Sequence, residues 1–103
     1  QRGMLEEVAR AAVVITNPTH LAVALAYDRS GQAAPRVVAK GAGAVAARIR
    51  ELAREANVVM VEDKPLARSL WRTVAVGAEV PIELFRAVAE VLAFVYRLRG
   101  GRG

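Results

Sequence analysis

The chain has 103 residues, 54% of them hydrophobic and 24% charged, with a formal net charge of +5 and an isoelectric point near 10.7. That length fits one small domain and excludes two, and the apolar content excludes a disordered chain. Cysteine is absent and His20 is the single histidine, which excludes disulfides, thiolate metal sites and a histidine-built metal centre, so no cofactor or metal is expected.

Residues 2–12 place Leu5, Val8 and Ala12 at helical spacing and predict an N-terminal helix. β-branched residues then take over at Val13, Val14, Ile15 and Thr16, predicting a short buried strand that Asn17-Pro18 stops. A second strand is expected over Leu21–Tyr27, closed by the polar loop 28–32, and a third over Arg36–Ala39, ending at Lys40-Gly41. Residues 44–56 form the clearest helix, with Val45, Ile49, Leu52 and Ala56 on one stripe and Asn57 as its C-cap. The unbroken apolar run Val58–Val61 predicts a fourth strand covered on both faces. Pro65 suits the first turn of a helix through Leu66, Leu70 and Val74, ended by Gly77. Pro81 opens the last helix, Ile82–Leu98, with Leu84, Val88, Val91, Leu92 and Val95 toward the core.

This order predicts an α/β fold: a single small domain with a mixed, mostly four-stranded sheet flanked by about four helices. The strand–helix–strand unit at 36–61 implies a right-handed parallel crossover, and the short link between the first two strands allows an antiparallel pair. Ala and Val dominate the apolar content, so a core of small side chains is expected. No stretch approaches the ~20 apolar residues that span a bilayer, and no signal peptide is evident. The chain begins with Gln1 rather than Met and is expected to be a piece of something longer; residues 100–103 read as a flexible tail.

Chemistry concentrates at Asn17-Pro18-Thr19-His20, in a tight connection between two strands. Asparagine usually forms a succinimide when the next backbone nitrogen attacks its side chain. Pro18 has no N–H and closes that route. The remaining route sends the Asn17 side-chain nitrogen onto its own backbone carbonyl carbon, with the Pro18 nitrogen as leaving group, and the chain breaks. A fold accelerates this by fixing a near-attack geometry, and Pro18 narrows Asn17 to extended conformations. His20 is placed to move protons, and Thr19 or a neighbouring backbone N–H to stabilise the oxyanion. Most Asn-Pro turns are nonetheless inert.

Other signals are weaker. Gly41-Ala42-Gly43 resembles a phosphate-binding turn but lacks a full dinucleotide or P-loop pattern, and a plain strand-to-helix turn accounts for it. Trp71 and Arg68 read as core-edge packing or as a partner anchor. Glu62 and Asp63 read as solvated. The alternative function is a basic α/β domain that binds nucleic acid or a nucleotide through Gly41–Gly43 and the Arg-rich helices, with an inert Asn-Pro turn.

The segment from Val13 to Leu25, with Asn17-Pro18-Thr19-His20 at its centre, resembles the self-cleaving region of the FlhB/YscU family, export-apparatus proteins of bacterial flagella and related virulence injectisomes. The likeness continues, in order, through 34–41, 48–53, 65–68 and 87–93. Tyr27-Asp28 and Val38-Ala39-Lys40-Gly41 are more similar to the flagellar branch, whereas Glu62-Asp63-Lys64-Pro65 departs from it. The resemblance implies a single-turnover cut between Asn17 and Pro18 by Asn cyclisation, a mixed sheet surrounded by helices, and a role in switching the class of exported substrate. It implies that 1–12 is a linker helix leading from a membrane domain upstream and 13–99 the self-cleaving domain on the cytoplasmic side of the bacterial inner membrane. Its implied partners are the export gate, a hook- or needle-length control protein and the secreted substrates, and no nucleic acid.

Overall fold

Val13–Asn17 (β1) is the strand on which the rest assembles. In the computed structural model, which describes residues 3–31 and 33–100, β1 pairs antiparallel with Leu21–Ala26 (β2) and parallel with Met60–Glu62 (β4). β2 pairs antiparallel with Arg36–Ala42 (β3), giving one four-stranded mixed sheet in the order β3-β2-β1-β4. The predicted fold class holds, and the two edges lie in strands that the sequence places far from β1. The expected tail lies outside the described residues except for Gly100, whose positive φ and bond to Arg97 O close the last helix.

The period-two alternation of β1 and β2 sorts side chains onto two cores. Val13, Ile15, Val23 and Leu25 face a helical layer formed by Lys64–Thr73 (α3) and Phe85–Leu98 (α4). Val14, Ala22 and Ala24 face Gly43–Glu55 (α2) and the N-terminal segment. Both faces of the sheet are thus covered, as the apolar run 58–61 predicts. The strand there is shorter than expected, because it pairs with β1 as an edge only from Met60 onward, while Val59 O accepts from Val14 N–H at 3.0 Å. α2 carries the chain from the β3 edge to the β4 edge, and the two strands share a direction but are not neighbours.

Several boundaries differ from expectation for identifiable reasons. Of the predicted helix over 2–12, residue 2 lies outside the described residues, and the rest forms one α turn, Met4–Glu7 (α1), followed by a 3-10 turn at Val8–Arg10; Ala11 is extended, so that Ala12 N–H can reach Leu25 O at 2.8 Å. Val8 is fully buried against α2. β2 stops at Ala26, short of Tyr27. β3 runs through Lys40-Gly41 to Ala42, with a bulge opposite Ala24/Leu25 that leaves Val38 as the extra residue. The buried stripe of α2 is Ala46, Ile49 and Ala53, whereas Val45 is 42% exposed and Leu52 and Ala56 are half-buried. Small residues at 46 and 53 let the helix approach Ala22, Ala24 and Ala39 closely, and Val45 lies over Gly41, where an added Cβ would come within 2.3 Å of Val45 Cγ1.

The cap of α2 is Ala56, and Asn57 follows it in the left-handed region at φ 59°. α3 ends at Thr73 rather than at Gly77, since Val74 turns extended and buried. Lys40, which the sequence marks only as a strand end, closes that end: its Nζ donates to Trp71 O and Val74 O at 2.9 Å each and lies 5.3 Å from the Trp71 ring centroid. Trp71 is half-buried against the core, while Arg68 is exposed. The last helix begins as a 3-10 turn over Ile82–Leu84 before α4, with Val88, Val91, Leu92 and Val95 buried as predicted. No helix among the described residues is long and apolar enough to cross a membrane.

Candidate functional site

Asn17, Pro18, Thr19 and His20 form the connection between β1 and β2. Asn17 is still paired with Leu21 in the ladder, and His20 N–H closes the turn onto Asn17 O at 2.8 Å. The turn is tight because β1 and β2 are hydrogen-bonded up to its two ends, and Pro18 supplies a fixed φ without needing a donor there. Asn17 and Pro18 are half-buried, and Thr19 and His20 are exposed.

Both flanks of the turn are held by main-chain bonds to other elements. Thr16, a buried polar residue at 6% exposure, accepts from Asp63 N–H at 3.0 Å through its carbonyl. On the other side His20 O accepts from Gly43 N–H at 3.1 Å, at the first turn of α2. Gly43 adopts φ 56°, a conformation that favours glycine and aims this N–H at the turn. Its N–H is therefore taken and Gly41 is packed under Val45, so the Gly41–Gly43 segment serves as a strand-to-helix junction rather than a phosphate cradle.

Asp63 corrects the reading of Glu62 and Asp63 as solvated. Its carboxylate Oδ1 accepts from Leu66 N–H at 3.1 Å, making it the N-cap of α3, with Lys64 and Pro65 in the first turn. An Asp three residues before the first buried leucine, with a proline two residues on, is the signal that marks such a cap in sequence. Glu62 is exposed, as expected. Asp63 and Gly43 stand out in the sequence for other reasons; their ties to the motif run through main-chain N–H groups that no side-chain pattern reveals.

The turn sets the geometry in which the expected cyclisation would occur. If the Asn17 side-chain nitrogen attacks the Asn17 carbonyl carbon, negative charge grows on Asn17 O. That oxygen already accepts from His20 N–H at 2.8 Å, so the turn carries its own main-chain donor for an oxyanion. Among the described residues no cluster of three or more His, Cys, Asp or Glu could hold a metal ion.

The architecture is that of the cytoplasmic and C-terminal domains of FlhB and EscU. It superposes on the crystal structure of the cytoplasmic domain of FlhB from Shewanella putrefaciens with a TM-score of 0.88 and 48% identity, covering 93% of this chain and 74% of that one. A mutated EscU C-terminal domain gives a TM-score of 0.84 at 30% identity, with 91% of this chain and 94% of that one covered. The model of the FlhB HrpN YscU SpaS family matches residues 1–95, and the chain belongs to that family. Flagellar biosynthetic protein FlhB of Salmonella typhimurium is 52% identical over 102 residues, and that of Bacillus subtilis 49% identical over 98. These alignments cover 99% and 95% of this chain but 27% of each relative, so the chain spans about a quarter of their length. The higher identity to FlhB than to EscU agrees with the flagellar wording of Tyr27-Asp28 and Val38–Gly41.

Proposed function

We propose that this chain is the cytoplasmic domain of a flagellar protein-export component that cuts itself between Asn17 and Pro18 and thereby sets which class of substrate is exported. The observation that carries the reading is the closed turn, in which the carbonyl to be attacked holds a main-chain donor and both flanks are tied to other elements. The family supplies the export setting. On this reading residues 1–12 lead from a membrane domain, and 13–99 work on the cytoplasmic side of the bacterial inner membrane beside the export gate, a length-control protein and the exported substrates.

In the reaction the Asn17 Nδ2–C bond forms and the C–N bond to Pro18 breaks. Nδ2 gives up one proton and the Pro18 nitrogen gains one, leaving as a secondary amine, and exposed His20 serves as the carrier. His20 N–H holds the oxyanion meanwhile. Water then opens the imide at Asn17 to a free carboxylate. Pinning Thr16 and His20 to Asp63 and Gly43 restricts the backbone on both sides of Asn17, which would raise the rate above that of a flexible Asn-Pro peptide. The cut leaves a new carboxylate and a new imino terminus, which changes the local surface without demanding that the core move.

The test is genetic. Full-length protein carrying Asn17→Ala is expected to export early substrates and to fail to switch to late ones. Normal switching by a protein verified as uncut would overturn the proposal.

A further inference from the structure

At the other end of β1 from the Asn17 turn, a cleft of about 350 Å³ is lined by Arg10, Arg29 and Arg99 together with Asn57, Tyr27 and Tyr96. The three arginines come from three separate places: the 3-10 turn after α1, the loop after β2, and the end of α4. No carboxylate side chain is among the described residues that line it. Two guanidinium groups are already placed. Arg29 Cζ stacks 4.4 Å from the centroid of the Tyr96 ring, and Arg99 Nη2 donates to Asn57 O at 2.6 Å, which uses one of its five donors. Arg10 contacts Glu7 only at 4.0 Å with its side chain 60% exposed, so it can turn toward a ligand at small cost. The nearby Asp28 carboxylate is engaged, accepting from Ser30 N–H at 3.0 Å.

The cleft wall also carries an unsatisfied donor. Tyr96 Oη is out of water with no hydrogen-bond partner, one of two such side-chain atoms among the described residues, the other being Arg50 Nη1. Burial pushes its phenol above the ordinary tyrosine range although Arg29 opposes this, so it stays a neutral O–H donor. A planar carboxylate is satisfied by a single arginine fork. Three cations lining one cleft from separate elements suit instead the tetrahedral spread of oxygens on phosphorus.

We propose that this cleft binds a phosphoryl group, held by Arg10, Arg29 and Arg99, whether carried by a free phosphate compound or by an anionic lipid headgroup. The test is a titration of the isotope-labelled chain, at an ionic strength of about 0.15 M so that unfocused surface charge is screened. One arm uses inorganic pyrophosphate. The other measures binding to phosphatidylcholine vesicles with and without phosphatidylglycerol. The double variant Arg29→Gln/Arg99→Gln is compared with Arg68→Gln/Arg86→Gln, which changes the same charge on exposed positions of α3 and α4.

Saturable amide shifts confined to 10–12, 27–29, 56–58 and 95–99, weakened at least tenfold in the cleft variant and retained in the control, are expected in the pyrophosphate arm if the ligand is a free phosphate compound. The same contrast between variants in the vesicle arm alone assigns the headgroup. Absence of both, non-saturating shifts, or equal weakening by the two double variants overturns the proposal. Arg10→Gln, whose ion pair with Glu7 is long at 4.0 Å, gives the same reading if the double variant fails to fold.

Discussion

Cleavage after Asn17 would leave residues 1–17 bound only by non-covalent contacts, and their retention can be worked from the structure. The fragment contains Val8, Val13, Val14 and Ile15, all at 0% exposure. Their burial contributes roughly 6–12 kcal/mol, of the same order as the estimated cost of holding a separate peptide in place. The ladders of β1 to β2 on one side and to β4 on the other add to this. The cut protein is therefore expected to stay together, with a margin small enough for one core truncation to expose. Ile15→Ala removes about 2–5 kcal/mol, which converts to a weakening of roughly 30-fold to several thousandfold. Arg10→Ala, at an exposed position of the same fragment, should change retention by less than about 0.5 kcal/mol. Gel filtration in native buffer, followed by mass spectrometry and by exchange against a labelled 1–17 peptide, reads all three. Release of the wild-type fragment in native buffer, or equal retention by Ile15→Ala, would refute the reasoning that β1 is held by its central, two-sided burial.

Three further outcomes follow from single contacts. His20→Ala should slow the cut by roughly 10²- to 10⁴-fold if its side chain carries protons, yet leave it detectable in a time course, because the donor to Asn17 O is the backbone N–H that alanine keeps; an unchanged rate would remove the side chain from the mechanism. Asp63→Ala should cost about 0.5–2 kcal/mol in urea unfolding by deleting the α3 N-cap, while the Asp63 N–H tie to Thr16 persists. Burial raises the Tyr96 phenol above its unfolded value of 10.0, so the folded state holds that proton more tightly. Its contribution to stability is complete below about pH 10 and is lost as pH rises through the folded value, and Tyr96→Phe should flatten the fall in unfolding midpoint above pH 10.

Much of this was legible in the sequence because the relevant signals are local. The alternation and β-branching of Val13–Thr16, the α4 stripe of Val88, Val91, Leu92 and Val95, and the Asn-Pro turn all depend on neighbours within a few residues. What could not be read depends on partners distant in the chain. The rotation of α2 onto Ala46 and Ala53 follows from the small residues of β2 and β3 that it meets. The shortening of the predicted 2–12 helix follows from a backbone bond between Ala12 and Leu25. Lys40 reads as a strand-end charge until Trp71 O and Val74 O are brought to its amine. At the site, the motif residues were evident, but the ties of Thr16 to Asp63 and of His20 to Gly43 are main-chain contacts across 47 and 23 positions, and no spacing rule encodes them.

The most direct measurement is the mass of the purified chain under denaturing conditions, followed over time from synthesis and compared with Asn17→Ala. Self-cleavage at the turn predicts two species from the wild type, residues 1–17 and 18–103, accumulating in step without added protease, and a single intact species from Asn17→Ala. An intact wild-type chain, or cleavage of Asn17→Ala at the same bond and rate, would contradict it.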